Sequence, residues 1–461
     1  MTSLRRRLIA GFGAGTFSRL MTTLIQIVGV PIFLLHWGTS LYGEWLLLNT
    51  IPAYFALSDI GFGSVAGNEM TMLVAAGKKD EALNVFQSVW VLTTTLSSAV
   101  GLLLLAGIWV IPLDRWIHVR ILTTHQVRLI VLLLGLSVLA SMQETLFQGA
   151  FRCVGKFPFG TFAKSLLSLG SFTASTIAVV FGARPTQVAL VYLIANAIGT
   201  FILWMLLKRN IPWIVFGIQH ASWAAIRRLA SPAISFMSFP IGNAITLQGT
   251  LVVIGAVLGP AAVVVFSTAR TIARSANQVM QLINTSFWPE ISSAFGTHNL
   301  RLARKLHTTA CQISILLCLS VAIFAALFGN YFWKAWTVGK VATDPILLDI
   351  MLLQLLISAF WYTSSVIHMS TNKHQGLAKV TLATACLSLL LAWLLMRIPS
   401  IGLRGAAAAM VVSDALNTAY VVKKSLRLLE ETPYDYFRSM MKFPISGNMF
   451  EDLFHNVRKL K

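Results

Sequence analysis

The chain has 461 residues, 56% of them hydrophobic and only 11% charged, with a formal net charge of +20 and a mean hydropathy of +0.74. A soluble domain with so little charge could not cover its surface with polar groups, which excludes an ordinary aqueous fold. The four cysteines, Cys153, Cys311, Cys318 and Cys386, have no metal or redox spacing and no phosphate-binding glycine loop occurs, so a disulfide scaffold, a metal centre and ATP hydrolysis are not expected, nor is any cofactor.

A membrane-spanning helix needs about 20 mostly apolar residues. About twelve such windows follow one another, at roughly 10–34, 44–66, 85–111, 127–149, 159–181, 186–207, 231–256, 261–286, 307–328, 346–369, 377–398 and 402–422. The expected fold is therefore an all-α integral membrane protein, with no room between spans for a soluble catalytic domain. The first window follows Arg5, Arg6 and Arg7 as a signal peptide would. It is too long for one, however, and carries Arg19 and Gln26, so it reads as a retained helix. In the seventh window, Pro240 predicts a kink.

Basic residues set the expected orientation. With the N-terminus inside, 24 Lys and Arg fall on inside segments, among them Arg5, Arg6, Arg7, Lys78, Lys79, Lys208, Arg209, Arg227, Arg228, Arg301, Arg304 and Lys305, against 8 on outside segments. The positive-inside rule then puts both termini in the cytoplasm. The positive charge reads as topology and attraction to anionic lipids, not as nucleic-acid binding. A weak internal repeat sets GEWLLLNTI (43–51) on VVFSTARTI (264–272). It predicts two six-helix lobes in the same orientation, related by a pseudo-two-fold axis along the membrane normal. The expected units are 1–208, a basic linker 209–229, a second lobe 230–422 and a tail 423–461. The tail mixes Lys and Arg with Phe437, Phe443, Phe450 and Phe454, which suggests short amphipathic helices lying on the membrane.

Charges at membrane depth are costly and must face protein, water or a partner. Arg270, Arg274, Asn277, Gln281 and Asn284 recur at steps of four, three, four and three, which places them on one helix face. Gly15, Arg19, Thr22 and Gln26 make a similar stripe in the first window. The functional reading of Arg19, Arg270 and Arg274, with Asn277, Gln281 and Gln26, is an anion site, because guanidinium binds oxyanions bidentately. The structural alternative is pairing with buried acids or carbonyls to hold helices together. Asp59, Glu144 and Asp414 are the buried acids, open to ion coupling, a salt-bridge gate or structural pairing. Glu44 and Glu290 fall near interfaces and are expected to be solvated. Trp361 and Tyr362 lie deep enough to touch a sugar, whereas Trp109, Trp116, Tyr331, Trp333 and Trp336 suit interfacial belts. Gly61, Gly63 and Gly67 permit close packing or a hinge.

The run YGEWLLLNTIPAYFALSDIGFGSVAGN (42–68), the loop Gly77–Ala82 and the basic opening at Leu4 resemble the bacterial polysaccharide flippases of the multidrug/oligosaccharidyl-lipid/polysaccharide (MOP) exporter superfamily. The likeness is specific in sequence only over the first 90 or so residues. It implies alternating access and movement of undecaprenyl-pyrophosphate-linked oligosaccharide across a bacterial inner membrane for O-antigen, capsule or exopolysaccharide synthesis. On that reading the arginines neutralise the pyrophosphate, membrane lipids surround the chain, and a polysaccharide polymerase and chain-length regulator are candidate partners. A MOP-type exporter of a small molecule or drug is the first alternative, and a membrane polymerase or ligase the second. The short outward loops argue against the enzyme.

Overall fold

The structure is a computed structural model that describes residues 2–55, 61–110, 119–371 and 375–441. Among these the regular elements are helical throughout. Lipid offers no hydrogen bonds, so a spanning backbone has to satisfy itself within each helix. Leu102, Leu103, Phe201, Phe324 and Leu327 are all exposed, an apolar surface of the kind a spanning helix turns to lipid.

The first half comprises α1 (Thr2–Phe55), α2 (Phe62–Ala75), α3 (Lys79–Val110), α4 (Thr124–Ser141), α5 (Glu144–Cys153), α6 (Phe157–Val180) and α7 (Pro185–Asn210). The second half comprises α8 (Trp223–Ala244), a π turn over Ile245–Gly249, α9 (Thr250–Leu258), α10 (Pro260–Gly296), α11 (Leu300–Trp336), α12 (Pro345–Ser370), α13 (Gln375–Met396), α14 (Arg404–Leu428) and α15 (Pro433–Met441). Helix starts carry their expected signals. Thr123 caps α4 in a capping box with Gln126, and Asp344 Oδ1 accepts from Leu347 N at 3.2 Å at the start of α12.

Among the described residues ten helices are long and apolar enough to cross a membrane. The difference from the twelve expected windows has two causes. Gly38, at φ 71° and ψ 177°, breaks α1 into two spans that otherwise run together. The polar stripe of α10 makes that helix too hydrophilic to stand out.

The chain forms two six-helix lobes. In the first, α1 packs on α6 and α4, α2 on α5, and α7 on α4 and α6. In the second, α10, α11 and α12 pack together, and α14 lies between α12 and α13. The seam is mainly α1 against α10, with α8 touching α2 and α3. The lobes also match in backbone detail. Gly259 joins α9 to α10 at φ 87° and ψ 173°, nearly the conformation of Gly38 between its own two spans. Gly38 and Gly259 stand in the register that sets Gly43 on Val264. Only glycine adopts this region freely, so one tight turn recurs at the same place in both repeats.

Backbone acceptors tie the seam at the Gly38 end. Trp336 Nε1 donates to Ile27 O at 2.7 Å, Thr39 Oγ1 to Lys340 O at 2.8 Å, and Lys340 Nζ to Leu35 O at 3.0 Å. At the opposite end Arg228 pairs with Glu69 across the seam.

Three expectations are corrected here. Glu44 is not solvated: it is 1% exposed, and its carboxylate accepts from the backbone N–H groups of Arg120, Ile121 and Leu122 at 2.6, 2.8 and 3.0 Å. Trp333 and Trp336 are not belt residues. Both are buried and donate inward, Trp333 Nε1 to Thr268 Oγ1 at 2.9 Å. Trp109 and Tyr331 do face outward, while Trp116 lies outside the described residues. Helix α15 packs on α11 and α14 instead of resting on lipid alone, with Tyr436 buried and stacked on His307 at 5.4 Å between ring centroids. Glycine at 67 serves packing: a Cβ there would lie 2.7 Å from Gly149 Cα.

Candidate functional site

The two stripes meet where α1 packs on α10: Arg19 reaches across the seam, while Arg270 and Arg274 line a cleft on the second-lobe side of α10. From α1, Arg19 Nη1 donates to Gln278 O of α10 at 3.1 Å, and Thr23 Oγ1 donates to Gln278 Oε1 at 2.9 Å. From α10, Arg270 Nη1 donates to Leu247 O at 2.9 Å. Leu247 belongs to the π turn, a widened helical turn of the kind that recurs at functional positions. The Arg270 guanidinium also lies over the Phe266 ring, 5.7 Å from its centroid. Arg270, Arg274 and Gln354 line one narrow cleft with Met351, Ala407 and Met410.

Arg274 is the centre of charge. It lies within electrostatic reach of Arg270, Asp414 and Tyr362. Asp414 of α14 is buried and held by side-chain donors: Gln354 Nε2 at 2.5 Å and Trp361 Nε1 at 3.0 Å. Tyr362 of α12 bonds Gln281 and feels both Arg19 and Arg274. The Oδ1 atom of Asn277 is buried with no hydrogen-bond partner among the described residues, an unspent acceptor beside the arginines. Among the described residues none of the three arginines forms a salt bridge. The direct partners of Arg19 and Arg270 are neutral oxygens, so their cationic charge stays available to an anion.

The sequence-derived set divides. Arg270, Arg274, Asn277 and Gln281 lie along α10, and Arg19 of α1 joins them across the seam through Gln278. Gln26 is exposed further along α1. Trp361 spends its indole N–H on Asp414, so its polar edge is not free for a sugar. Asp59 lies outside the described residues. Glu144 belongs to another place: it opens α5 inside the first lobe, with Lys164 Nζ at 3.3 Å and Thr200 Oγ1 donating at 2.9 Å. Sequence reasoning missed Lys164, a cation near the start of the apolar window 159–181, and missed Gln278 as the residue that receives Arg19. The lone charge at 164 was a readable signal; the role of Gln278 was not, because it accepts partly through its backbone.

No protein-family model matches this chain, and no curated protein matches it. Solved structures do. The inward-facing form of a multidrug resistance MATE family transporter of the MOP superfamily superposes with a TM-score of 0.72 at 15% identity, over 89% of this chain and 99% of that one. The outward-facing form of a multidrug resistance MATE family transporter gives 0.67 at 15% identity, over 92% and 95%. A MOP superfamily transporter from Pyrococcus furiosus, described as having a binding pocket of reverse polarity that suggests a different function, gives 0.60 at 15% identity, over 92% and 95%. At such identity the likeness is one of fold: this chain has the architecture of MOP-superfamily transporters. The fold does not reach the narrower reading of a polysaccharide flippase.

Proposed function

We propose that this protein is an alternating-access exporter of MOP architecture whose cargo is an amphiphile bearing an anionic group. The observation that carries the reading is the cluster of three arginines: Arg19 and Arg270 donate to neutral carbonyl oxygens, and among the described residues no carboxylate is salt-bridged to Arg19, Arg270 or Arg274. An exporter of cationic drugs would present an excess of carboxylates there; among the described residues this cluster presents three guanidinium groups against one carboxylate, Asp414, which is held by Gln354 and Trp361. The cargo's anionic group enters between the lobes, Arg19, Arg270 and Arg274 neutralise it, and its apolar part stays in the lipid. Rocking of the lobes then opens the site to the other side. Neutralisation lowers the cost of moving a charged group through a low-dielectric layer.

Within that class, a small amphiphilic anion fits the architecture shared with the multidrug transporters. A second reading, a pyrophosphate-linked oligosaccharide lipid, draws on the resemblance of residues 42–68. The test is transport into proteoliposomes of an anionic fluorescent amphiphile, 8-anilinonaphthalene-1-sulfonate, against cationic ethidium. Preference for the anion, weakened in Arg274→Ala, supports the proposal; transport of ethidium alone sinks it. Deletion of the gene in its host separates the two cargoes. Loss of surface polysaccharide favours the lipid-linked saccharide, and altered sensitivity to anionic toxic compounds with polymer intact favours the small molecule.

A further inference from the structure

The first lobe holds a second polar site, apart from the arginines. A cavity of about 240 Å³ opens between α4, α5, α6 and α7, lined by Ser141, Glu144, Lys164, Ser168, Tyr192 and Asn196. Protein interiors carry few voids larger than a water molecule, and pockets for drug-sized ligands run to about 300–1,000 Å³. A space just below that range holds a single ring rather than a chain.

Its chemistry selects the occupant. Glu144 and Lys164 are 3.3 Å apart, so the site presents no net charge. A free cation would compete with the ammonium, and a free anion would meet the carboxylate. What remains is dense in both kinds of hydrogen-bonding group. The carboxylate accepts, the ammonium donates three ways, and hydroxyls and the Asn196 amide do both. Asn196 Nδ2 is held by Ser137 Oγ at 2.7 Å, and Thr200 Oγ1 holds Glu144 at 2.9 Å, so both are oriented in advance. Adjacent hydroxyls on a ring each donate and accept, which matches such a set, and Tyr192 contributes an aromatic side chain to the wall. The geometry points to a binding site for one neutral, polyhydroxylated ring, a monosaccharide unit of the cargo. This rests on the second export reading, a saccharide-bearing lipid, for its purpose and on the cavity alone for its binding.

The test reads binding without transport. The full chain, with Cys386→Ser to remove the exposed thiol and Ser168→Cys to place one in the cavity wall, is labelled with N-ethylmaleimide in nanodiscs. Protection is scored with D-glucose, D-galactose, L-rhamnose and N-acetylglucosamine. At about ten times the half-protecting concentration of a bound sugar, labelling slows about tenfold. Glu144→Gln raises that concentration about tenfold or more, the loss of one charge-assisted hydrogen bond. Asn196→Ala gives the same direction if Glu144→Gln fails to fold. The proposal falls if the thiol does not label, if it labels and none of the four sugars protects, or if protection survives both substitutions. Sugar protection without anion transport would retire the export reading and keep the site. Anion transport without protection would do the reverse.

Discussion

Gly43→Ala tests the seam directly. Gly43 sits in α1 just past the Gly38 turn, and a Cβ built there would lie 2.1 Å from Pro260 O, 2.5 Å from Pro260 C and 3.0 Å from Pro260 Cβ. The obstacle is backbone at the first residue of α10, so no rotamer change relieves it. Ordinary carbon contacts lie near 3.5–4.0 Å, so the two lobes must part by about 1 Å or more at this end. Overpacking of this kind costs about 1–3 kcal/mol. Alanine also favours a helix over glycine by about 1 kcal/mol, but that gain is present whether the seam is shut or open and cancels from their ratio. The closed-to-open ratio at this end should therefore fall by about 5- to 150-fold. The assay is cross-linking of Thr39→Cys to Lys340→Cys, since Thr39 Oγ1 and Lys340 O are 2.8 Å apart across the seam. Slower cross-linking in Gly43→Ala, with helix content retained, is the expected result. An unchanged rate would show that this contact does not govern the seam.

Other predictions follow from single contacts. Glu44→Ala leaves three N–H groups at residues 120–122 without their acceptor, that of Leu122 buried and the other two part-buried; a loss of about 1–3 kcal/mol is expected, read as a lower thermal midpoint, and an unshifted midpoint would refute it. Asp414→Asn removes the carboxylate beside Arg274 and keeps one of its two acceptor oxygens, for Trp361, while the new NH2 requires the Gln354 amide to turn its oxygen towards it; anion affinity in equilibrium dialysis should rise, and a fall would mean that Asp414 orients the site. Lys164→Met strands Glu144, and adding Glu144→Gln should recover part of the lost stability. The recovery is expected at about 1 kcal/mol because Lys164 is 41% exposed, and strictly additive losses would argue against a working pair.

Much of the architecture is written in local composition. Windows of apolar residues must become helices in lipid, basic residues mark their ends, and a repeat a few residues long placed Gly43 on Val264. The α10 stripe is legible for the same reason: spacing along one helix fixes which residues share a face, and Arg270, Arg274 and Asn277 do. Relations between helices are not local, and the tertiary structure alone decided them. Nothing near residue 19 in the sequence says that Arg19 reaches Gln278, or that Trp361 turns its indole N–H to Asp414. Glu44 looked solvated by position, yet the segment at 120–122 folds over it and its three N–H groups consume the carboxylate. Lys164 and Glu144 lie on different helices, and only packing makes them a pair with a cavity beside them. Periodicity specifies faces, because a helix repeats regularly. Pairing depends on how rigid helices cross, and that is set by side-chain packing summed over the whole seam.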